Sequence, residues 1–177
     1  MPRRQVYTVL LADDSEDDRF FLRKVIGRFP RFRVIGEATD GEETVAYLSG
    51  KSVFANRHTY PFPDLLLLDL KMPRKTGFEV LHWLRVQSFH SLTVVVLSSS
   101  PLQTDIDASL ALGAHGYWTK TAHLETQNLI AQEIETLLDE RLKHLHSSAV
   151  SNETGRSGLA INRLNEIRGG GFTRRTL

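Results

Sequence analysis

The chain has 177 residues, no cysteine and a formal net charge of +1, with 41% hydrophobic and 24% charged residues. The lack of cysteine excludes disulfides, thiolate metal sites and cysteine nucleophiles, and it agrees with a reducing compartment, so we expect a cytoplasmic protein. No apolar run approaches the roughly 18 residues that cross a bilayer, and residues 1–146 carry no basic excess, so neither a membrane nor a nucleic acid is expected as a partner.

Short apolar runs alternate with helical patterns along the chain. The runs show little polar alternation, which is typical of parallel strands covered on both faces. In the helical patterns, apolar residues recur three or four positions apart. The predicted order is strand Val6–Ala12, helix Ser15–Gly27, strand Phe32–Ala38, helix Gly41–Leu48, strand Leu65–Leu68, helix Phe78–Val86, strand Thr93–Leu97, helix Asp105–Leu112, strand Gly116–Trp118 and helix His123–His146. Five such units predict an α/β fold with a doubly wound parallel sheet.

Two segments do not follow this alternation. Residues 49–63 contain Gly, Asn, Pro and several aromatic residues, a composition that predicts a long loop inserted before the third strand. Residues 147–177 are rich in Gly, Ser and Arg, with five Arg and two Glu, and we expect a flexible tail after a domain that spans residues 1–146. Within the tail, residues 159–168 have the apolar spacing of a short amphipathic helix.

Polar side chains end the predicted strands. In an open α/β sheet, ligands bind beyond the carboxyl ends of the strands, so these side chains form one candidate site. Three carboxylates close together repel each other unless a cation lies among them, and a set of oxygen ligands favours Mg²⁺ or Mn²⁺. The residues at these strand ends are Asp13, Asp14, Asp69, Ser98 and Lys120. With two acids holding a metal ion, the third can attack a phosphorus atom while the lysine and the hydroxyl neutralise the transferred oxygens. The pattern therefore predicts phosphorylation of Asp69.

Each of these residues also has a simpler explanation when it is taken alone. Asp13 and Asp14 lie just before a predicted helix, where acids favour the N-terminus. Ser98 lies in a turn-like Ser-Ser-Ser-Pro stretch, Lys120 has the character of a surface lysine, and Gly77 permits a turn before the next helix. A site is indicated only because these residues occur together, in chain order, and each follows the strand at which this fold would place it.

Four stretches of this sequence together resemble the receiver domain of two-component response regulators. They are ADD at 12–14, LLLLDLKMPRKTG at 65–77, VVVLSSS at 94–100 and LGAHGYWTK at 112–120, and the resemblance covers residues 6 to about 146. It implies a five-stranded flavodoxin-like fold with strand order 2-1-3-4-5 and a Mg²⁺ requirement. It also implies phosphoryl transfer from the phosphohistidine of a sensor histidine kinase or phosphotransfer protein.

The resemblance also implies a role for individual residues. Asp14, Asp69 and the backbone carbonyl of Lys71 would bind the metal ion directly, and Asp13 would act largely through water. Asp69 would accept the phosphoryl group, with Ser98 as the switch hydroxyl and Lys120 as the phosphoryl-binding lysine. The resemblance further implies that Tyr117 is the aromatic residue whose side-chain rotamer changes together with the switch hydroxyl.

The insertion ending in YPFPDLLLLDL, with GFEVLHWLR and LGAHGYW, resembles single-domain regulators that are paired with phytochrome-type kinases. Several members of that group form homodimers through the fourth helix, fifth strand and fifth helix, so a homodimer is expected. A domain of this kind catalyses only its own phosphorylation and dephosphorylation, and its output is contact with another protein.

Two alternatives remain open at this level. A haloacid dehalogenase-type phosphatase also uses an aspartyl nucleophile and Mg²⁺, but it needs a second Asp where this chain has Lys71, and it has the reverse order of acids. A pseudo-receiver would keep the fold as an interaction module without being phosphorylated. The presence of every required side chain argues against this alternative, and one departure keeps it open: residue 121 is Thr, whereas the family usually has proline after the lysine. We expect the Lys120–Thr121 peptide bond to be trans, since a cis bond before a residue other than proline costs about 2.5–4 kcal/mol.

Overall fold

Five strands form one parallel sheet in the computed structural model, which describes residues 5–154 and the side chains of residues 5–145. The strands are β1 (Tyr7–Ala12), β2 (Phe32–Ala38), β3 (Leu65–Leu68), β4 (Thr93–Ser98) and β5 (Gly116–Thr119). Their order in the sheet is β2-β1-β3-β4-β5, and every neighbouring pair is parallel. The predicted doubly wound sheet and its strand order are confirmed.

Helices cover both faces of the sheet. They are α1 (Glu16–Ile26), α2 (Gly41–Ser49), α3 (Gly77–Leu84), α4 (Gln103–Ala111) and α5 (Leu124–Thr154). On one face, Leu10, Leu66 and Val96 pack with Leu48 of α2 and Leu81 of α3. The opposite face packs in the same way against α1 and α5, through Leu11, Leu67, Val95, Ile26 and Ile134. Because successive side chains of each strand point to opposite faces, both layers need apolar residues, which explains the unbroken apolar runs.

Side-chain caps mark the starts of α1, α2 and α3. Ser15 caps α1 by accepting a hydrogen bond from the Asp18 amide, and Asp40 caps α2 through the Glu43 amide. Thr76 and Glu79 form a reciprocal capping box at α3. The bounds of α1 to α4 lie within two residues of the predicted ones.

The predicted insertion contains more structure than its composition indicated. Residues Ser52–Ala55 form a short 3₁₀ helix that buries Phe54 against Tyr47, with ring centroids 5.0 Å apart. The Arg57 guanidinium donates to the carbonyls of Tyr47 at 2.8 Å and Leu48 at 2.7 Å. The Gly50 amide also donates to the Tyr47 carbonyl, at 3.1 Å. Because the last carbonyls of a helix lack the bonds of its interior, Arg57 can fix the insertion to that helix end.

The last helix is longer than predicted. It continues past His146 to Thr154, so the described part of the expected tail is helical. No glycine or proline occurs between Tyr117 and Thr154, and the next residue is Gly155, so the sequence contains no strong helix breaker before that point. The expected helix over 159–168 lies outside the described residues, and the domain boundary at residue 146 stays a prediction. No helix in the described part of the chain is long and apolar enough to cross a membrane.

Candidate functional site

Parallel pairing of two neighbouring strands brings the acids together. Ala12 and Leu68 are register partners at the ends of β1 and β3, and the Asp69 amide donates to the Ala12 carbonyl at 2.8 Å. Asp13 and Asp69 therefore leave the sheet side by side. Asp13, Asp14 and Asp69 each offer a carboxylate oxygen, and these atoms all lie within 4.8 Å of one another. Asp13 and Asp69 are buried, while Asp14 is exposed.

Lys120 supplies the positive charge at the site. The Lys120 amide donates to the Ser98 carbonyl at 2.9 Å, which continues the pairing of β4 with β5 and aims the chain at the acids. Its Nζ lies 2.7 Å from Asp13 Oδ2 and 3.6 Å from Asp69 Oδ1. A further carboxylate, Asp18 on the first turn of α1, also lies 2.7 Å from Nζ.

Sequence analysis missed the contact of Asp18 with Lys120. The available signal was its position four residues after Asp14, which is about one helical turn further along the chain. An acid in the first turn of a helix is common for another reason, the favourable interaction with the helix dipole, so this spacing did not single it out.

The electrostatics of the site favour a bound cation. Burial raises the pKa of Asp69, an effect that Lys120 opposes and the neighbouring Asp13 adds to. Burial also raises the pKa of Asp13, against the effect of its hydrogen bond with Lys120. Asp69 Oδ1 is buried and has no hydrogen-bond partner. A buried, unpartnered carboxylate oxygen beside two further carboxylates matches the oxygen donor set of a hard divalent cation.

Burial by itself lowers the pKa of the Lys120 ammonium, but its bonds to Asp13 and Asp18 outweigh this effect and hold the pKa above its usual value. Lys120 is therefore positively charged at neutral pH. One ammonium thus lies among the carboxylates of Asp13, Asp18 and Asp69.

Ser98 and Tyr117 connect the strand ends to the start of α4. Ser98 is fully buried, and its hydroxyl accepts a hydrogen bond from the Ser100 amide at 3.3 Å. The Tyr117 hydroxyl donates to the Ser100 carbonyl at 2.6 Å, and its ring packs against the core. Both predicted switch residues thus contact the same residue of the β4–α4 loop. Ser100 Oγ in turn donates to Asp105 at 2.5 Å, which links this loop to α4.

The loop after β3 wraps closely around Asp69. The Lys71 amide donates to Asp69 Oδ2 at 3.1 Å, while the role of the Lys71 carbonyl as a metal ligand stays a prediction. Gly77 has a stricter role than the turn that its sequence suggested, because a Cβ atom there would lie 2.2 Å from the Asp69 carbonyl oxygen. Only glycine allows α3 to begin this close to the backbone of Asp69.

The described residues include no cis peptide bond, so the expected trans geometry between Lys120 and Thr121 is confirmed. The Thr121 hydroxyl accepts a hydrogen bond from the His123 amide at 3.2 Å, and the Thr121 carbonyl accepts one from Gln127 at 2.7 Å. Threonine therefore anchors the start of α5 where the family usually has proline, and Lys120 still faces the acids.

Comparison with known proteins gives a consistent result. Residues 9–134 match the model of the response regulator receiver domain. The nitrate/nitrite response regulator protein NarL of Escherichia coli K12 is 34% identical over 130 residues, which is 73% of this chain and 54% of that protein. This chain thus spans about half the length of that relative. The response regulator Rcp1 of Synechocystis is 31% identical over 129 residues, 72% of this chain and 86% of Rcp1.

Solved structures agree with these matches. The phosphorylated cyanobacterial phytochrome response regulator RcpA superposes with a TM-score of 0.65 at 32% identity, over 73% of this chain and 91% of RcpA. The Mn²⁺-bound form of Rcp1 has a TM-score of 0.64 at 31% identity, over 73% of this chain and 92% of Rcp1. The regulator RPA3017 of R. palustris, described in red light signalling, has a TM-score of 0.63 at 33% identity, over 75% and 91%.

Proposed function

Because this chain belongs to the response regulator receiver domain family, we propose that Asp69 accepts a phosphoryl group from the phosphohistidine of a sensor histidine kinase or phosphotransfer protein. The observation that supports this most directly is the buried Asp69 oxygen without a hydrogen-bond partner, surrounded by Asp13, Asp14 and Lys120. An acid in this position is costly to keep ionised in the folded chain, and a reaction at that oxygen accounts for its presence.

The residues present fit a divalent cation, and we propose Mg²⁺. Asp14, Asp69 and the Lys71 carbonyl would bind it directly, with Asp13 acting through water. When bound, it supplies positive charge for the phosphoryl oxygens and reduces the repulsion between the acids. The relative Rcp1 is known in a Mn²⁺-bound form, which supports a divalent ion here.

In the proposed reaction, an Asp69 carboxylate oxygen forms a bond to phosphorus. The phosphorus–nitrogen bond of the donor's phosphohistidine breaks, and the electron pair leaves with the imidazole. Lys120, with Nζ 3.6 Å from Asp69 Oδ1, needs only a small movement to reach the transferred oxygens. The Ser98 hydroxyl, fully buried at the end of the neighbouring strand, donates a hydrogen bond to the same group.

Output would pass through the loop that Ser98 and Tyr117 share. A phosphoryl group on Asp69 attracts the Ser98 hydroxyl, whose oxygen now accepts from the Ser100 amide. The Tyr117 hydroxyl is bonded to the carbonyl of the same Ser100. A shift of Ser98 therefore moves the anchor of Tyr117 and, through Asp105, the start of α4.

The partner surfaces follow from this arrangement. We propose a homodimer through α4, β5 and α5, on which Leu110 of α4 is 42% exposed, and Leu102 just before α4 is 59% exposed. We further propose that the protein acts in the cytoplasm, binds no nucleic acid and catalyses only its own phosphorylation and dephosphorylation. Light scattering after size exclusion, with and without beryllofluoride and Mg²⁺, tests the dimer, and Leu110→Glu should weaken it.

The decisive experiment is a Phos-tag gel after incubation with acetyl phosphate and Mg²⁺. Wild-type protein should show a slower band that EDTA removes, and Asp69→Asn should show none. Asp107→Asn, on the exposed face of α4, is the matched control and should label normally. Labelling of Asp69→Asn would refute the assignment. A folded wild-type protein that takes up no phosphoryl group would instead identify a pseudo-receiver.

A further inference from the structure

We propose that Asp18 is a positioning residue that holds the Lys120 ammonium away from Asp69 in the unphosphorylated protein and thereby limits its access to an incoming phosphoryl group. The inference rests on the proposed function of Asp69. It concerns a side chain that belongs neither to the predicted metal ligands nor to the predicted switch residues.

The Lys120 ammonium lies closer to Asp18 and Asp13 than to Asp69. Lys120 Nζ lies 2.7 Å from Asp18 Oδ2 and 2.7 Å from Asp13 Oδ2, whereas Asp69 Oδ1 lies 3.6 Å away. At 3.6 Å, Nζ is within ion-pair distance of Asp69 Oδ1 but forms no hydrogen bond with it, and this oxygen has no hydrogen-bond partner. The lysine thus directs its close contacts to the two carboxylates that are not the proposed acceptor.

Capping of α1 does not explain the contact between Asp18 and Lys120. Glu16 and Asp17 share the first turn of α1 with Asp18, and all three can interact with the helix dipole. Only Asp18 reaches across to Lys120, which is 102 positions later in the chain. The Ser15 hydroxyl already caps the helix by accepting from the Asp18 amide, so the Asp18 carboxylate is not needed for that purpose.

The contact between Asp18 and Lys120 is exposed enough to be broken. The Asp18 side chain is 41% exposed, whereas Asp13 is 3% exposed. Water competes for a half-exposed ion pair, so Asp18 can release the lysine when a more negative phosphoryl group forms on Asp69. Asp13 stays at the site in both states. Asp18 is therefore the partner whose release lets Lys120 turn toward Asp69.

Acetyl phosphate labelling of Asp69 in the full chain tests the proposal. Asp18→Asn should raise the second-order labelling rate by roughly two- to fivefold, the ratio that corresponds to one partly exposed ion pair. Asp18→Glu should restore the wild-type rate. Asp17→Asn, which removes the same charge from the same turn, should change the rate much less. Equal effects of the Asp17 and Asp18 substitutions would overturn the proposal and leave only a general effect of charge.

Dependence on the lysine is tested in a Lys120→Ala background, where Asp18→Asn should have no further effect on the rate. If that background labels too slowly to measure, the ¹H–¹⁵N signal of the Lys120 ammonium gives the answer. This signal should be sharp in the wild type and in Asp17→Asn, and it should be lost in Asp18→Asn. A signal unchanged by Asp18→Asn would refute the proposal. Labelling that persists in Asp69→Asn would instead refute the proposed function.

Discussion

The two ends of the sheet differ in how fully their charged groups are paired. At the amino end, the Tyr7 hydroxyl donates to Asp139 at 2.5 Å, and the Arg31 guanidinium donates to both oxygens of Asp139 and to Glu135. At the carboxyl end, three carboxylates crowd together, one ammonium lies among them, and Asp69 Oδ1 has no hydrogen-bond partner. The amino end satisfies its polar groups within the chain, and the carboxyl end does not.

The network at the amino end is therefore structural, whereas the site at the carboxyl end needs a bound cation to balance its carboxylates. The planar guanidinium of Arg31 has several donors and binds the carboxylates of Glu135 and Asp139. These ion pairs connect the segment before β2 to α5. The carboxyl end keeps an excess of negative charge that opposes folding until a cation binds.

Arg31→Ala should cause the largest loss of stability. It removes the shared donor of Asp139 and Glu135 and leaves their carboxylates beside the buried Tyr7, so we expect the free energy of unfolding to fall by about 3 kcal/mol. Urea unfolding followed by circular dichroism measures this change. Arg23→Ala is the control, since the Arg23 side chain, paired with Glu37, is 45% exposed, and it should cost at most about 1 kcal/mol. Equal losses would show that the amino end is no special network.

Mg²⁺ should stabilise the wild-type protein and have little effect once a ligand is removed. At ten to one hundred times its dissociation constant, a ligand that binds only the folded state adds about 1.4 to 2.7 kcal/mol. Asp14→Asn should abolish most of this gain in Mg²⁺-dependent thermal unfolding. Asp17→Asn, a nearby exposed acid on the first turn of α1, should keep it. A gain that survives Asp14→Asn would place the ion elsewhere.

In the presence of EDTA, Asp69→Asn should make the protein more stable than the wild type. The substitution removes a buried carboxylate and keeps its shape, so we expect the free energy of unfolding to rise by about 1 kcal/mol. Chemical denaturation at pH 7 measures the difference. A clear loss of stability would mean that Lys120 and the backbone donors already compensate the Asp69 charge.

The smallest effect concerns pH. Burial raises the folded-state pKa values of Asp69 and Asp13, so folding favours their protonated forms. Their contribution to stability is fully present below the unfolded pKa of about 3.9 and is lost as the pH rises through the raised folded pKa. In EDTA, the advantage of Asp69→Asn over the wild type should therefore shrink toward zero as the pH falls. With saturating Mg²⁺ the wild type should instead lose stability on acidification, because the metal binds ionised acids. A pH-independent advantage would contradict the first expectation.

The amino-acid sequence was enough to predict the five-stranded sheet, the order of its helices and the residues of the candidate site. Unbroken apolar runs such as Leu65–Leu68 report burial on both faces, and parallel strands place all their carboxyl ends at one edge. Asp13, Asp14, Asp69 and Lys120 could therefore be grouped before any contact was known. Thr121 likewise predicted a trans peptide bond from covalent chemistry alone.

The contacts between these groups, and their distances, became known from the folded structure alone. Three features of the structure have no distinctive pattern in the local sequence. They are the contact of Asp18 with Lys120, the hydrogen bonds of Arg57 to the end of α2, and the need for glycine at position 77. Each depends on how close two backbone segments come in the folded chain. Periodicity reports which face of an element is buried, but it carries no information about distances between separate segments.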